Sequence, residues 1–221
     1  LQQFAATLDE MDRQIGRLIN AVDTLGLAGR TIVVFMGDNG PTAWPRYYKE
    51  GFEPPGSTGG LRGRKWSLYE GGVREPLIIR WRGRVPAGVV DRDTAVCSTD
   101  LFPSFCRLAG IEAPKVAFDG EDLSAAFLGR RQRRQGDLLW EYGRDATYLR
   151  PGREDDRSPN LAIRSGRWKA LVNDDGTGLE LYDLEASAKE RENLAATHPG
   201  LARKLSQRVI AWRKSLPVME K

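Results

Sequence analysis

Residues 31–40 read TIVVFMGDNG, six apolar or β-branched residues followed by a short glycine-flanked polar turn. Six such residues without alternation predict a strand buried on both faces, as in a parallel sheet that helices cover. Before it, apolar residues recur at spacings of three and four from Phe4 to Leu25, which predicts an amphipathic helix. Gly26 followed by Leu27 is typical of a left-handed helix cap. A helix, a short loop and a buried strand together predict an α/β fold.

The residues that follow the predicted strand are candidate metal ligands. In open α/β sheets, ligands bind outside the carboxyl ends of the strands, and Asp38 and Asn39 stand at such an end. Their carboxylate and amide oxygens are hard donors of the kind that Ca²⁺ and Mg²⁺ prefer. The same residue types also form ordinary turns after a strand, so this motif alone leaves both interpretations open.

A second polar cluster lies in residues 63–76, GRKWSLYEGGVREP. Lys65 is a compact cation suited to a tetrahedral oxyanion, although a lysine taken alone is more typical of a solvated surface. Glu70 and Arg74 stand four residues apart, and we expect them to pair and hold the loop. The two glycines after Glu70 would let the chain turn beneath a site.

The remaining pattern predicts two parts that differ in style. A helix over residues 101–109 is expected to end at Gly110. Beyond it, short strands separated by turns predict a small antiparallel sheet, followed by a helix that starts near Pro199. We therefore divide the chain into part of a large α/β domain, 1–110, and a connecting segment with a small α+β subdomain, 111–221. Predicted strands cover 76–81, 138–142, 160–172 with a turn at 165–167, and 179–184, and a short helix covers 122–128.

Composition bounds the function classes. The chain has 221 residues, of which 40% are hydrophobic, and a formal net charge of +4, as is ordinary for a globular protein. No apolar run approaches the roughly 20 residues of a membrane span. The chain begins with Leu1 rather than Met, and we interpret it as a fragment of a longer protein. Cys97 and Cys106 lack metal-site spacing, which argues against zinc or a disulfide framework. His198 is the only histidine, and its polar surroundings argue against a catalytic role.

Taken in order and spacing, the two polar clusters resemble those of the sulfatase family, whose large domain is similar to alkaline phosphatase. Residues 31–40 resemble the family strand that ends in the metal-binding Asp-Asn-Gly turn. Residues 63–76 resemble the second family signature, Gly-x-Lys…Glu-Gly-Gly-x-Arg-x-Pro. The resemblance covers nearly the whole chain, and the ordered set is far more specific than any one motif. Further segments that resemble the family are 8–18, 100–110, 119–120 and 163–194.

The resemblance implies the C-terminal part of an alkaline-phosphatase-like, mostly parallel sheet sandwich, joined to a small antiparallel sheet with a C-terminal helix. It also implies a sulfuric ester hydrolase, similar to arylsulfatases, that cleaves sulfate esters or sulfamates with a divalent metal and a formylglycine nucleophile. Carried over by position, Asp38 and Asn39 are ligands of Ca²⁺, or of Mg²⁺, and Lys65 is a catalytic, sulfate-binding cation. A divalent ion and Lys65 would together neutralise charge on the sulfuryl group as the bond to the leaving oxygen breaks.

The chain departs from the family pattern at the nucleophile. That pattern is Cys/Ser-x-Pro/Ala-x-Arg, and neither Cys97 nor Cys106 begins such a sequence. The paired N-terminal aspartates and the histidines of the family are also absent. We therefore expect the formylglycine upstream of this chain, no hydrolysis by the chain alone and only weak metal binding. Tyr142 stands where many relatives carry histidine, and we interpret it as a half-buried strand aromatic.

Other function classes remain open at this stage. A related metal-dependent phosphohydrolase needs further His and Asp ligands for a second metal, and His198 is the only histidine here. A basic module that binds a polyanion finds support in the arginine run at 130–134. Acidic residues nearly balance the basic ones, so we interpret that run as a solvated connection and expect no nucleic-acid partner. A domain that folds without independent activity is compatible with the sulfatase interpretation.

The expected partner is a sulfated small molecule or glycan. Its identity would depend on the loops at about 41–62 and 143–160, and nothing in the sequence indicates an oligomeric state. Bacterial enzymes of the resembled family are commonly exported, so we expect a periplasmic or secreted location.

Overall fold

The computed structural model describes residues 2–145 and 147–217, which form two compact units. The first unit comprises Leu1–Met36 and Pro76–Gly136, and the second comprises Gly37–Glu75 and Asp137–Lys221. The units interleave along the chain, and the division predicted between residues 110 and 111 stays a prediction. In chain order the elements are α1 (Gln2–Thr24), β1 (Val33–Met36), α2 (Pro45–Lys49), α3 (Glu70–Val73), β2 (Leu77–Arg80), α4 (Leu101–Ala109), α5 (Ser124–Phe127), β3 (Leu138–Glu141), β4 (Leu161–Ser165), β5 (Trp168–Val172), β6 (Glu180–Asp183) and α6 (Pro199–Ser215).

Two helices of the first unit end where glycine predicted an end. Gly26 has a φ of 68°, and the amide of Leu27 donates to the carbonyl of Val22 at 3.0 Å, which caps α1. Gly110 ends α4 in the same left-handed conformation, with a φ of 69°. Glycine reaches this region of φ without steric cost because it lacks a Cβ. Neither α1 nor any other helix of the described residues is long and apolar enough to cross a membrane.

β1 differs from its predicted form. β1 pairs antiparallel with β2, with Val33 opposite Arg80, rather than lying in a parallel sheet. Phe35 is 37% exposed and Ile78 is 59% exposed, so the strands are not buried on both faces. Within the described part of the first unit they form a two-stranded sheet, and such a pair has too few neighbours to bury all its apolar side chains. The apolar run indicated a strand correctly but misjudged its partners.

One member of the arginine run is buried, which corrects the interpretation of residues 130–134 as a solvated connection. The guanidinium of Arg134 donates to both carboxylate oxygens of Asp100, at 2.8 and 2.9 Å, and its side chain is only 7% exposed. Asp100 is fully buried, and a buried carboxylate without a partner would be strongly destabilising. Arg131 agrees with the prediction, because its side chain is 90% exposed.

The second unit contains the predicted antiparallel sheet and C-terminal helix, and the mixture of helices and sheets confirms the α/β class. The strand order is β3-β4-β5-β6, and every pairing in this sheet is antiparallel. The hairpin joins β4 and β5 as predicted, with Ser165 opposite Trp168. α6 packs on these two strands through Leu205 and Val209, which are almost fully buried.

The other face of this sheet carries the segment that follows Lys65. Ala162 and Leu171 of the sheet form an apolar cluster with Leu68 and Tyr69, while their neighbours along the strands pack with α6. Because side chains alternate across a strand, Leu68 and Tyr69 cover the face opposite α6. The sheet therefore anchors the second polar cluster.

Candidate functional site

The loop after β1 lies against the glycine turn of α3. The amide of Gly40 donates to the carbonyl of Gly72 at 3.0 Å. A Cβ on Gly40 would come within 1.9 Å of the carbonyl oxygen of Gly71, so only glycine fits at this approach. The loop with Asp38 and Asn39 is thereby fixed beside the predicted second signature.

A second backbone contact joins Lys65 to the same loop. The amide of Lys65 donates to the carbonyl of Pro41 at 3.0 Å, two residues after Asn39. The Lys65 side chain is half-buried, and within residues 2–145 and 147–217 its ammonium has no hydrogen-bond or ion-pair partner. A half-buried cation without a carboxylate is available to bind an anion. The two predicted segments thus meet, and the roles of their side chains stay predictions.

Glu75 is an acidic neighbour of Asp38 that the sequence pattern did not indicate. Burial and the negative charge of Asp38 raise the pKa of the Glu75 carboxyl above its usual range. A Cβ on Gly37 would lie 2.3 Å from Glu75 Oε2, which places this carboxylate against the loop. The second signature contains Glu75, but its approach to Asp38 depends on the tertiary structure.

These residues would fit part of a divalent-cation site. Asn39 donates its Nδ2 to Asp38 Oδ1 at 3.3 Å and to the carbonyl of Gly40 at 3.2 Å, so its Oδ1 is left as an oxygen ligand. Ca²⁺ takes about six to eight oxygen ligands, and a nearby cation would relieve the repulsion between Asp38 and Glu75. No group of three His, Cys, Asp or Glu suited to a metal occurs among the described residues. The donor set matches a hard cation in kind but supplies only a minority of its ligands.

Arg64 holds the loop beyond Pro41 against Lys65. Its Nε donates to the carbonyl of Thr42 at 2.9 Å. Its Nη2 lies 2.9–3.2 Å from the carbonyls of three consecutive residues, Pro54, Pro55 and Gly56. One guanidinium therefore satisfies four backbone acceptors and ties both ends of a long loop to the residue before Lys65. Sequence pattern could not identify this function, because backbone carbonyls carry no residue signature.

The residue after Lys65 is a tryptophan in an unfavourable backbone conformation. Trp66 has a φ of 72°, a left-handed value that costs a residue with a Cβ about 1–2 kcal/mol. Its ring centroid lies 5.7 Å from that of Trp44, at an interplanar angle of 54°. Trp44 is 44% exposed. The strain and the aromatic pair both lie next to the candidate anion-binding lysine.

A buried charge cluster lies beneath this turn, on β5. Lys169 Nζ lies 2.8 Å from Glu70 Oε1 and 3.0 Å from Glu190 Oε1. The amide of Glu70 donates to Glu190 Oε2 at 2.5 Å, and all three side chains are at most 3% exposed. The predicted pair of Glu70 with Arg74 is present as well, at 3.4 Å. Glu70 thus ties the glycine turn to the sheet.

The fold shifts the pKa values of the two glutamate carboxyls of this cluster in opposite directions. Burial opposes ionisation of Glu70, but the charge of Lys169 and its hydrogen bond outweigh burial and lower the pKa. Burial raises the pKa of Glu190, and the charge of Glu70 adds to this effect while Lys169 only partly offsets it. Lys169 is shared by both carboxylates, but Arg74 pairs with Glu70 as well, so Glu190 is the less well compensated of the two.

Tyr142 and His198, for which the sequence argued against a role in the site, lie outside the loops that carry Asp38 and Lys65. Tyr142 is half-buried directly after β3, as interpreted, and its hydroxyl donates to the carbonyl of Leu149 at 2.9 Å. His198 precedes α6, with its ring 5.3 Å from that of Trp168 in an edge-on arrangement. These contacts are structural ones within the second unit.

Comparison with curated proteins places these motifs in a family. Human (Homo sapiens) arylsulfatase A is 32% identical over 204 residues, which cover 92% of this chain and 37% of that protein. An N-acetylgalactosamine-6-O-sulfatase from Bacteroides thetaiotaomicron is 31% identical over 216 residues, which cover 90% of this chain and 39% of that protein. The chain therefore spans about two fifths of the length of these relatives.

Solved structures share the fold over the same extent. A Bacteroides thetaiotaomicron protein from work on glycosaminoglycan metabolism superposes with a TM-score of 0.69 at 26% identity, over 92% of this chain and 43% of its own. Ps i-CgsB in complex with k-i-k-neocarrahexaose gives a TM-score of 0.68 at 25% identity, over 91% and 40%.

Family models give the same result from sequence alone. The model described as Sulfatase matches residues 1–111, which include both polar clusters. The model described as N-sulphoglucosamine sulphohydrolase, C-terminal, matches residues 63–215. With one model covering half of its length and the other continuing through its sheet to the last helix, this chain belongs to the sulfatase family.

Proposed function

We propose that this chain supplies the sulfate-binding lysine and part of the metal site of a sulfuric ester hydrolase. The observation that carries the proposal is the junction of two backbone hydrogen bonds, Gly40 to Gly72 and Lys65 to Pro41. Through it, a lysine without an anionic partner is held next to a loop of oxygen donors. A cation site and an ammonium side by side are suited to a dianionic or monoanionic tetrahedral ester.

Each residue has a distinct role in this proposal. Asp38 and Asn39 would hold Ca²⁺, or Mg²⁺, whose charge polarises the sulfuryl oxygens when the ion is bound. Lys65 would donate hydrogen bonds to a sulfate oxygen and stabilise negative charge as the ester bond breaks. Arg64 would keep the loop after Pro41 in place, and Glu70 would hold the glycine turn against the sheet.

The nucleophile is expected in sequence that precedes this chain. Neither Cys97 nor Cys106 stands in the nucleophile pattern of the family. We therefore propose that a formylglycine from upstream completes the site and that the 221-residue chain alone does not hydrolyse sulfate esters. The substrate would be a sulfated small molecule or glycan, and the location periplasmic or secreted, as the family resemblance implies.

Substitution of Lys65 tests the proposal in the full-length enzyme that contains this chain. We expect Lys65→Met to lower kcat/KM for 4-nitrocatechol sulfate about 10²-fold or more, because one donor to developing charge is lost. Lys49→Met removes an exposed lysine from α2 in the same unit and should leave the rate within about twofold of wild type.

Two results would contradict this proposal. One is a Lys65→Met variant as active as Lys49→Met. The other is a wild-type enzyme that hydrolyses 4-nitrophenyl phosphate much faster than the sulfate ester, since that would favour the phosphohydrolase alternative.

A further inference from the structure

Trp44 and Trp66 form a partly exposed aromatic pair beside the candidate anion-binding lysine. Trp66 follows Lys65 directly and is half-buried, and Trp44 is 44% exposed with its ring centroid 5.7 Å away. Large apolar side chains that stay exposed while their backbone is held in place are typical of binding surfaces. The proposed sulfatase function assigns no role to either ring.

We propose that Trp44 and Trp66 form a platform for the sugar ring of a sulfated glycan, whose sulfate group binds at Lys65. This inference rests on the proposed function for its sulfate subsite and extends it by naming the substrate class and the residues that select it.

The backbone of Trp66 is the first support for this role. A φ of 72° is disfavoured for tryptophan, and glycine would occupy the same position without strain. Such strain persists where the surroundings hold a residue in place, and it concentrates at binding and catalytic sites. Here the amide of Ser67 donates to the carbonyl of Arg64 at 3.0 Å, and that of Lys65 donates to Pro41. The turn is therefore fixed on both sides of the indole.

The backbone of Trp44 is held as firmly from two other directions. The preceding residue, Ala43, is fully buried, and its carbonyl accepts from the amide of Gly152 at 3.1 Å. Arg64 binds the carbonyl of Thr42 on the other side. The loops at 41–62 and 143–160, from which the sequence analysis expected specificity, thus meet at Trp44. A preorganised exposed ring loses little conformational entropy on binding a ligand.

The chemistry of the pair favours a sugar over an aryl group. The face of an indole carries negative charge, which attracts the partially positive C–H groups on the face of a pyranose ring. The two rings meet at 54°, so a flat aryl ring could lie parallel to only one of them. A puckered sugar, or two successive sugars, can contact both. The unpaired charge of Lys65 next to the platform then selects a sulfated sugar.

Saturation-transfer NMR on the 221-residue chain tests the platform, because it reports directly on ligand C–H groups that touch the protein. The probes are N-acetylglucosamine 6-sulfate, unsulfated N-acetylglucosamine and 4-nitrocatechol sulfate. We expect saturation of the sugar ring protons in the wild type, and a Kd about fivefold weaker in Trp44→Ala and Trp66→Gly. Phe52→Ala, which removes a more exposed ring from the same loop, should leave the Kd unchanged.

The same series of variants includes controls for misfolding. Trp66→Gly relieves the positive φ, and Trp44→Phe keeps an aromatic face, so neither variant is expected to unfold the chain. Trp44→Phe should recover most of the affinity that Trp44→Ala loses. Circular dichroism of each variant verifies that it is folded before its Kd is compared.

Several outcomes would overturn the platform. They are an unchanged Kd in both tryptophan variants, the same loss in Phe52→Ala, the absence of saturation on either sugar in the wild type, and a tryptophan-dependent affinity for the aryl sulfate alone. Lys65→Met separates the platform from the proposed function. If only the sulfate subsite is wrong, Lys65→Met leaves the preference for the sulfated sugar unchanged, while both tryptophan variants still weaken both sugars.

Discussion

Similar apolar patterns are left exposed in the first unit and are buried in the second. α1 and α6 both carry apolar residues at helical spacing, but α1 contains no buried residue, whereas Leu205 and Val209 of α6 are almost completely buried. β1 and β2 likewise expose Phe35 and Ile78, while β4 and β5 are covered on both faces. Periodicity therefore predicts which face of an element is apolar, but only the rest of the fold decides whether that face is covered.

The two units also differ in how their buried carboxylates are paired. In the first unit, Asp100 has one charged partner, Arg134, which binds both its oxygens, and the amides of Cys97 and Glu121 also donate to it. In the second, Lys169 lies between two carboxylates, Glu70 and Glu190. The first arrangement pairs one buried carboxylate with one guanidinium, whereas the second shares one buried ammonium between two carboxylates, of which only Glu70 has Arg74 as a further partner. Glu190 is therefore the buried carboxylate with the weakest compensation.

Loss of Lys169, the cation shared by Glu70 and Glu190, should have the largest effect on the free energy of unfolding. Lys169→Met leaves Glu190 buried without a cation and Glu70 with only the partly exposed Arg74, and we expect it to lower the free energy of unfolding by about 3–5 kcal/mol in urea titrations. Lys189→Met, which removes a lysine beside the same cluster in sequence, serves as the control and should stay within about 0.5 kcal/mol. A loss below about 1 kcal/mol for Lys169→Met would mean that the cluster is already neutralised by protonation.

Truncating one leucine side chain on α6 and one on α1 should lower the free energy of unfolding slightly less than Lys169→Met does, and by very unequal amounts. Leu205→Ala opens a cavity under α6 and should cost about 2–5 kcal/mol. Leu18→Ala on α1, where the side chain is 61% exposed, should cost less than about 0.5 kcal/mol beyond helix propensity. Equal costs by urea titration of the same chain would break the contrast drawn between the units.

The unequal compensation of Glu70 and Glu190 should also appear as a pH dependence of stability. The fold raises the pKa of Glu190, so its contribution to stability is present in full below the unfolded-state value of about 4.3 and is lost as pH rises through the folded value. The fold lowers the pKa of Glu70, whose contribution is instead present above the unfolded-state value and is lost as pH falls through the folded one.

Glu190→Gln removes only the first of these contributions. Relative to the wild type, the variant should therefore become more stable as pH rises above the unfolded-state value. Glu112→Gln, which alters an exposed glutamate of the first unit, is the matched control. Parallel stability profiles for Glu190→Gln and the wild type, measured by urea titration at each pH, would show that Glu190 is not the group under strain.

Backbone strain at Trp66 should give the smallest effect. Both Trp66→Gly and Trp66→Ala remove the contact with Trp44, but only glycine tolerates the positive φ. We expect the glycine variant to be more stable than the alanine variant by about 1 kcal/mol, as a higher Tm in thermal denaturation. The reverse order would show that the loop relaxes when the indole is removed.

Much of the fold and the segments of the candidate site were predictable from local pattern. The ends of α1 and α4 followed from single glycines, and the β4–β5 hairpin followed from a short turn between two strand patterns. The segments around Asp38 and Lys65 were identified by motif order, and family comparison supports that identification. The pairing of β1 and the burial of Arg134 were mispredicted, because both depend on partners distant in sequence.

Local sequence dictates where helices, strands and turns form and which two motifs carry the candidate chemistry, because those properties depend on neighbours within a few residues. Long-range packing is what brings Lys169 to Glu70, 99 residues away, Glu75 to Asp38, and Arg64 to the loop beside Lys65. A buried charge or carbonyl must find a partner to offset its lost hydration, and packing of the sheet against the loops determines which partner is within reach.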